Sequence, residues 1–144
     1  MNREGIPEHG LTSVADTGFD FRQPKTIADD FMKDTDQQAV GGYDHAFLLN
    51  HPADDSVEAA RLWSGDNKLS LAVTTSAPAL QFYSGNFLDG TPARQGTWQN
   101  YQGIALESGF LPDSPNHPEW PQPDCWLQPG DKLQSVTRYQ LIPA

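Results

Sequence analysis

The sequence has a single cysteine and few basic residues, nine lysines and arginines against nineteen aspartates and glutamates in 144 residues. Cys125 cannot form an internal disulfide, and no Cys/His cluster has the ligand spacing of a structural zinc site. Packing alone must hold the fold, and a reducing compartment is expected. The net charge of -10 and pI near 4.5 set up a field that repels polyanions, which excludes nucleic acid and anionic membrane surfaces as partners. No stretch approaches the roughly 20 apolar residues needed to span a bilayer. The opening MNREGIPEHG has no apolar core of a secretory signal. A cytoplasmic protein is expected.

Turn formers and aromatics are plentiful. Gly 12 and Pro 12 favour short strands and loops over long helices. Phe 7, Tyr 4 and Trp 4 supply apolar material for one core, and the length suits one ordinary domain. The opening segment to about Val40 has no strand pattern, and Thr26 to Met32 reads as a short helix or turn. From Gly42 the periodicity becomes two, with Tyr43, His45, Phe47 and Leu49 on one face and Asp44, Ala46, Leu48 and Asn50 on the other.

Further strands are predicted at Ala59 to Trp63, Lys68 to Thr74, Ala79 to Ser84, Gly103 to Ser108 and Gln134 to Ile142. Ser64-Gly65-Asp66-Asn67 and Gln128-Pro129-Gly130-Asp131 mark turns between them. Strand following strand without helical patterns predicts an all-β antiparallel sandwich rather than a βαβ sheet. Pro112, Pro115, Pro118, Pro121 and Pro123 each fix φ and remove a donor, so Leu111 to Pro123 is predicted to be an ordered surface loop.

In Gly103-Ile104-Ala105-Leu106-Glu107-Ser108-Gly109, alternation sends Ile104 and Leu106 toward a core. Glu107 is left on the other face among Gly103, Ala105 and Gly109. Small neighbours leave room for a ligand beside a group able to take a proton. Spacing alone equally allows a solvated surface glutamate, the commoner state of a strand carboxylate. Asp44 and Gln81 alternate away from their apolar faces, and the Gln81 amide offers a donor and an acceptor to a hydroxyl. Each also reads as a surface polar residue. Asp113, Ser114 and His117 lack a nucleophile elbow and read as loop architecture rather than a triad. His9, His45 and His51 carry no motif.

Four ordered blocks carry a resemblance: Gly42-Tyr43-Asp44-His45-Ala46-Phe47-Leu48-Leu49, Pro78 to Phe87 (PALQFYSGNF), Gly103-Ile104-Ala105-Leu106-Glu107-Ser108, and Leu111-Pro112-Asp113-Ser114-Pro115-Asn116-His117-Pro118. In this order they resemble the C-terminal motifs of the aldose 1-epimerases. The resemblance implies a galactose mutarotase-type β-sandwich that interconverts the anomers of free aldoses such as galactose and glucose.

It further implies Glu107 as general base at the anomeric hydroxyl, Asp44 and Gln81 as sugar contacts, and no metal or organic cofactor. The family's acid histidine, a second histidine and a sugar-binding Asn-Arg pair belong to an N-terminal half. None of His9, His45, His51 or His117 matches them. Residues 1–144 are thus expected to be the C-terminal part of one such domain, with a separate N-terminal half as a candidate partner. The competing readings are a sugar-binding module without catalysis and a sugar-phosphate epimerase relative. The second would need a basic cluster for the phosphate, and the basic residues here are scattered.

Overall fold

The computed structural model describes residues 6–7 and 10–143. Its strands are β1 (Asp44–Leu48), β2 (Glu58–Trp63), β3 (Leu69–Thr75), β4 (Ala79–Tyr83), β5 (Ala105–Gly109) and β6 (Thr137–Pro143). Helix is confined, among the described residues, to the five-residue α1 (Thr35–Ala39) and 3-10 turns at Ile27–Asp29 and Ser114–Asn116. The strands form two three-stranded sheets, ordered β1-β4-β5 and β2-β3-β6. The all-β antiparallel class predicted from the turn-rich sequence is the one observed. The chain clusters into two compact units, Met1–His45 with Phe82–Leu106 and Ala46–Gln81 with Glu107–Ala144.

The first unit is built on aromatic rings. Tyr43 is fully buried; its ring stacks on Phe82 at 4.9 Å and meets Phe21 and Phe19 edge-on at 5.4 and 5.8 Å. Its hydroxyl donates to the Gly18 carbonyl at 2.8 Å, so the polar end of the ring keeps a partner inside the core. This accounts for the short apolar group at Phe19 and Phe21 in an otherwise polar opening segment. The turn predicted within Thr26 to Met32 is the 3-10 turn. The one-turn α1 begins where the Asp34 carboxylate accepts the Asp36 N–H at 2.8 Å.

The second unit contains the antiparallel β2-β3-β6 sheet. Ser64 closes the β2–β3 hairpin through its N–H to the Leu69 carbonyl at 2.8 Å, and Asp66 accepts from the Ser64 hydroxyl and the Lys68 N–H. In register, Leu62 opposes Leu71 and Leu71 opposes Leu141, while Ala60 opposes Val73 and Val73 opposes Tyr139. Two apolar rows therefore cross the three strands on one face. Arg61, Arg138 and Gln140 alternate to the other.

Two expectations need correction. The proline-rich segment was predicted to be a surface loop, yet Leu111 and Trp120 are buried and form a cluster with Ala79, against which Ala46 and Leu48 pack. The prolines bar strand pairing but leave side chains free to turn inward, and local bonds hold the path. The Ser114 hydroxyl donates to the Leu111 carbonyl, and the Gln122 amide donates to Ser114 Oγ at 2.7 Å while accepting the Leu111 N–H at 3.2 Å. Ile104, predicted to face the core, is 43% exposed because β5 starts one residue later. Leu106, inside the strand, is half-buried.

Candidate active site

Asp44 opens β1, and the chain leading into it is clamped. The Tyr43 N–H donates to Ser84 Oγ at 2.9 Å, and the Ser84 N–H returns a bond to the Tyr43 carbonyl at 2.9 Å. Asn86 Nδ2 donates to the same carbonyl at 3.1 Å and to that of Val40 at 2.9 Å, and its Oδ1 accepts from the Ser84 hydroxyl at 2.6 Å. Ser84 and Asn86 are both buried. Buried polar groups satisfied in a closed network fix one geometry, and here it is the backbone immediately before Asp44. Sequence reasoning missed this clamp. Its signal was the Gly41-Gly42 pair before one strand and Ser84-Gly85-Asn86 after another.

Asp44 itself is half-buried, and its N–H donates to the His45 Nδ1 at 3.0 Å. That bond assigns the His45 proton to Nε2, a buried atom with no hydrogen-bond partner. Phe19 closes over the imidazole edge-on at 4.6 Å. Burial holds His45 below the ordinary histidine pKa of 6.5. A depressed native value makes the His45 contribution to stability complete above the unfolded pKa near 6.5 and lost as pH falls through the native value. Melting curves between pH 8 and pH 5 should show a falling Tm, with the part of the fall below about pH 6.5 flattened in His45→Phe. An unchanged slope in that variant would remove His45 as the cause.

Gln81 lies in β4 and is half-buried. The Leu49 N–H donates to the Pro78 carbonyl at 3.0 Å, a register that sets Gln81 opposite Ala46. On β1, Ala46 falls on the same side as Asp44 and Leu48. Glu107 is the exposed residue of β5. The next residue, Ser108, has its hydroxyl 2.6 Å from that of Thr137, so alternation turns Glu107 to the face away from Thr137, with only Ala105 and Gly109 beside it on the strand. β5 neighbours β4 in the sheet.

The remaining polar clusters are structural. His117 stacks on Trp120 at 4.1 Å and 7° between planes, with Nδ1 2.9 Å from Glu119 and Nε2 3.5 Å from Asp113. The hydrogen bond to His117 lowers the Glu119 pKa. With its hydroxyl committed to Leu111, Ser114 is no nucleophile for this histidine, as the loop reading anticipated. His51 sits exposed in a turn, and His9 lies outside the described residues. Among the described residues no group of three His, Cys, Asp or Glu side chains is placed to hold a metal ion, and no helix is long and apolar enough to cross a membrane.

The sequence model of the aldose 1-epimerase family matches residues 1–140. The chain belongs to the aldose 1-epimerase family. It is 63% identical to the aldose 1-epimerase of Escherichia coli K12 over 99% of its own length and 41% of the relative's. To the galactose mutarotase of Bos taurus it is 33% identical, over 94% of this chain and 38% of that one. Among solved structures, the galactose 1-epimerase of Lactobacillus acidophilus is 30% identical with a TM-score of 0.69, over 99% of this chain and 40% of that one. A GalM/aldose epimerase homologue from C. elegans is 25% identical with a TM-score of 0.77, over 96% and 40%. The chain thus spans about two fifths of the length of the relatives it matches.

Proposed function

We propose that this chain is the C-terminal part of a galactose mutarotase-like domain and supplies the base and two sugar contacts of an aldose 1-epimerase. The substrates are free aldohexoses such as galactose and glucose, and the reaction interconverts their α and β anomers. Glu107 removes the proton from the anomeric hydroxyl while an acid protonates the ring oxygen. The ring opens, the C1 carbonyl group turns about C1–C2, and reclosure from the other face inverts the centre. Asp44 and Gln81 hold hydroxyls of the sugar, fixing the reacting atoms within reach of the base.

The observation that supports this reading most is the setting of Glu107, a solvent-open carboxylate flanked on its strand by residues almost without side chains, in a chain so similar to a bacterial aldose 1-epimerase. The acid is assigned to the N-terminal portion of the family fold, which residues 1–144 do not span. Of the described histidines, His45 is half-buried with Nδ1 engaged, His117 is held by Trp120 and Glu119, and His51 belongs to a turn. No step requires a metal or organic cofactor, and the half-buried free thiol of Cys125 suits a cytoplasmic setting.

The test is to mix the chain with a separately expressed N-terminal portion and follow galactose mutarotation by polarimetry. Acceleration over the uncatalysed rate, with neither polypeptide active alone, is the expected result. No gain with both polypeptides folded would refute the reading.

A further inference from the structure

We infer that His45 is a positioning residue for the sugar contact assigned to Asp44: while uncharged, its Nδ1 holds the peptide unit that aims the Asp44 side chain, and protonation releases it. The inference rests on the proposed function for the role of Asp44. The peptide unit between Tyr43 and Asp44 has its two polar groups on opposite edges of β1. Its carbonyl faces β4, where it accepts the Ser84 N–H at 2.9 Å and Asn86 Nδ2 at 3.1 Å. Its N–H, which belongs to Asp44, points the other way, and β1 is the outer strand in the order β1-β4-β5. There it donates to His45 Nδ1 at 3.0 Å. With carbonyl and N–H both bonded, the planar unit is held against rotation, and the direction of the Asp44 side chain is set with it.

The arrangement admits one protonation state. Nδ1 accepts only while its lone pair is free, and a proton there turns it into a donor facing the Asp44 N–H. The bond is then lost and a half-buried N–H is left without a partner, a cost that turning the peptide unit relieves. The surroundings of the ring favour the neutral form. Phe19 packs on it edge-on at 4.6 Å, and Nε2 is buried without a hydrogen-bond partner. Among the described residues the carboxylates of Asp36, Asp44 and Asp34 act on His45 in favour of the cation, but burial outweighs them. Asp44 is thus held in place above the native His45 pKa, which lies below 6.5, and released as pH falls through it.

The test uses the reassembled enzyme with this chain labelled in nitrogen. A nitrogen–nitrogen scalar coupling across the Asp44 N–H to Nδ1 bond is expected at about pH 8, where an ordinary histidine is neutral, and should vanish with the midpoint of the ring titration. His45→Phe, which removes the acceptor, should raise KM for galactose about fivefold or more at the same pH, the worth of one hydrogen bond, with kcat less affected. His45→Asn, whose Oδ1 can accept in place of Nδ1 but takes no proton, should recover most of that loss. Its KM should also lack the rise on acidification that wild type shows. Where His45→Phe fails to fold, the coupling in wild type and the KM of His45→Asn decide. No coupling at about pH 8, a coupling that outlasts protonation, a wild-type KM in folded His45→Phe, or an acid-induced rise kept in His45→Asn would overturn the inference. A coupling that behaves as expected beside an Asp44→Ala variant of unchanged KM would retain the hold on the backbone and reject Asp44 as a sugar contact.

Discussion

Glu107→Gln, assayed in the reassembled enzyme, is expected to slow galactose mutarotation by roughly 10²- to 10⁴-fold, the usual contribution of a positioned general base. Glutamine keeps the length and planarity of glutamate and can still bond to the anomeric hydroxyl, but its amide cannot accept the proton. The loss should therefore fall on kcat with little change in KM, the signature of an interaction made only in the transition state. Asp44→Ala should behave differently, raising KM as well, because that side chain is assigned to holding hydroxyls rather than moving a proton. Glu107 is exposed on its strand, so its replacement should leave the melting temperature within about 2 °C of wild type, given the small stability effect of ordinary surface substitutions. Full activity in Glu107→Gln would place the base elsewhere, and a loss matched by unfolding would make the residue structural.

The strands were legible because their signal is local. Alternation at Tyr43 to Asn50 and at Leu69 to Val73 located β1 and β3, and the Ser64-Gly65-Asp66-Asn67 turn located the hairpin between β2 and β3. The ends were less legible. Gln134 to Val136 carry a strand-like pattern but precede the ladder, because Ser76 and Val136 bond to each other through main and side chains where β3 ends and β4 is approached. The one-turn α1 is too short for a 3.6-residue period to declare itself.

The inward turn of Leu111 and Trp120 was hidden because proline reports on the backbone and not on where neighbouring side chains go. Glu107, Asp44 and Gln81 became more than polar strand residues only through the four ordered blocks taken together, since each alone has an ordinary surface explanation. The Gly41-Gly42 pair and Ser84-Gly85-Asn86 each mark a tight segment, but their pairing in the clamp on the Tyr43 backbone was out of reach of sequence spacing. It joins residues about forty positions apart, and nothing local to either segment names the other.

That clamp makes two adjacent glycines unequal, and the contrast is the most severe stability test of the site. At Gly42 φ is +143°, and a Cβ would stand 2.5 Å from Asn86 Oδ1 and 2.7 Å from Ser84 Oγ. Neither atom can retreat cheaply, since the Ser84 hydroxyl is bonded to Asn86 and to the Tyr43 N–H, and the Asn86 amide holds two carbonyls. Gly42→Ala therefore combines backbone strain of about 1–3 kcal/mol with disruption of buried hydrogen bonds at about 1–3 kcal/mol for each group left unsatisfied. A loss of about 3 kcal/mol or more is expected, or roughly 10 °C in Tm for a chain of this size.

At Gly41 φ is +69° and nothing lies within 4 Å of the same Cβ. Gly41→Ala meets only the left-handed backbone penalty, about 1–2 kcal/mol. Because Asp44 lies two residues beyond Gly42, the Gly42 variant should also weaken sugar binding in the reassembled enzyme at temperatures where it remains folded. Gly41→Ala should bind as wild type does. Equal destabilisation by the two substitutions would mean that Ser84 and Asn86 yield without cost, and the backbone before Asp44 would then owe its geometry to the aromatic packing of Tyr43 alone.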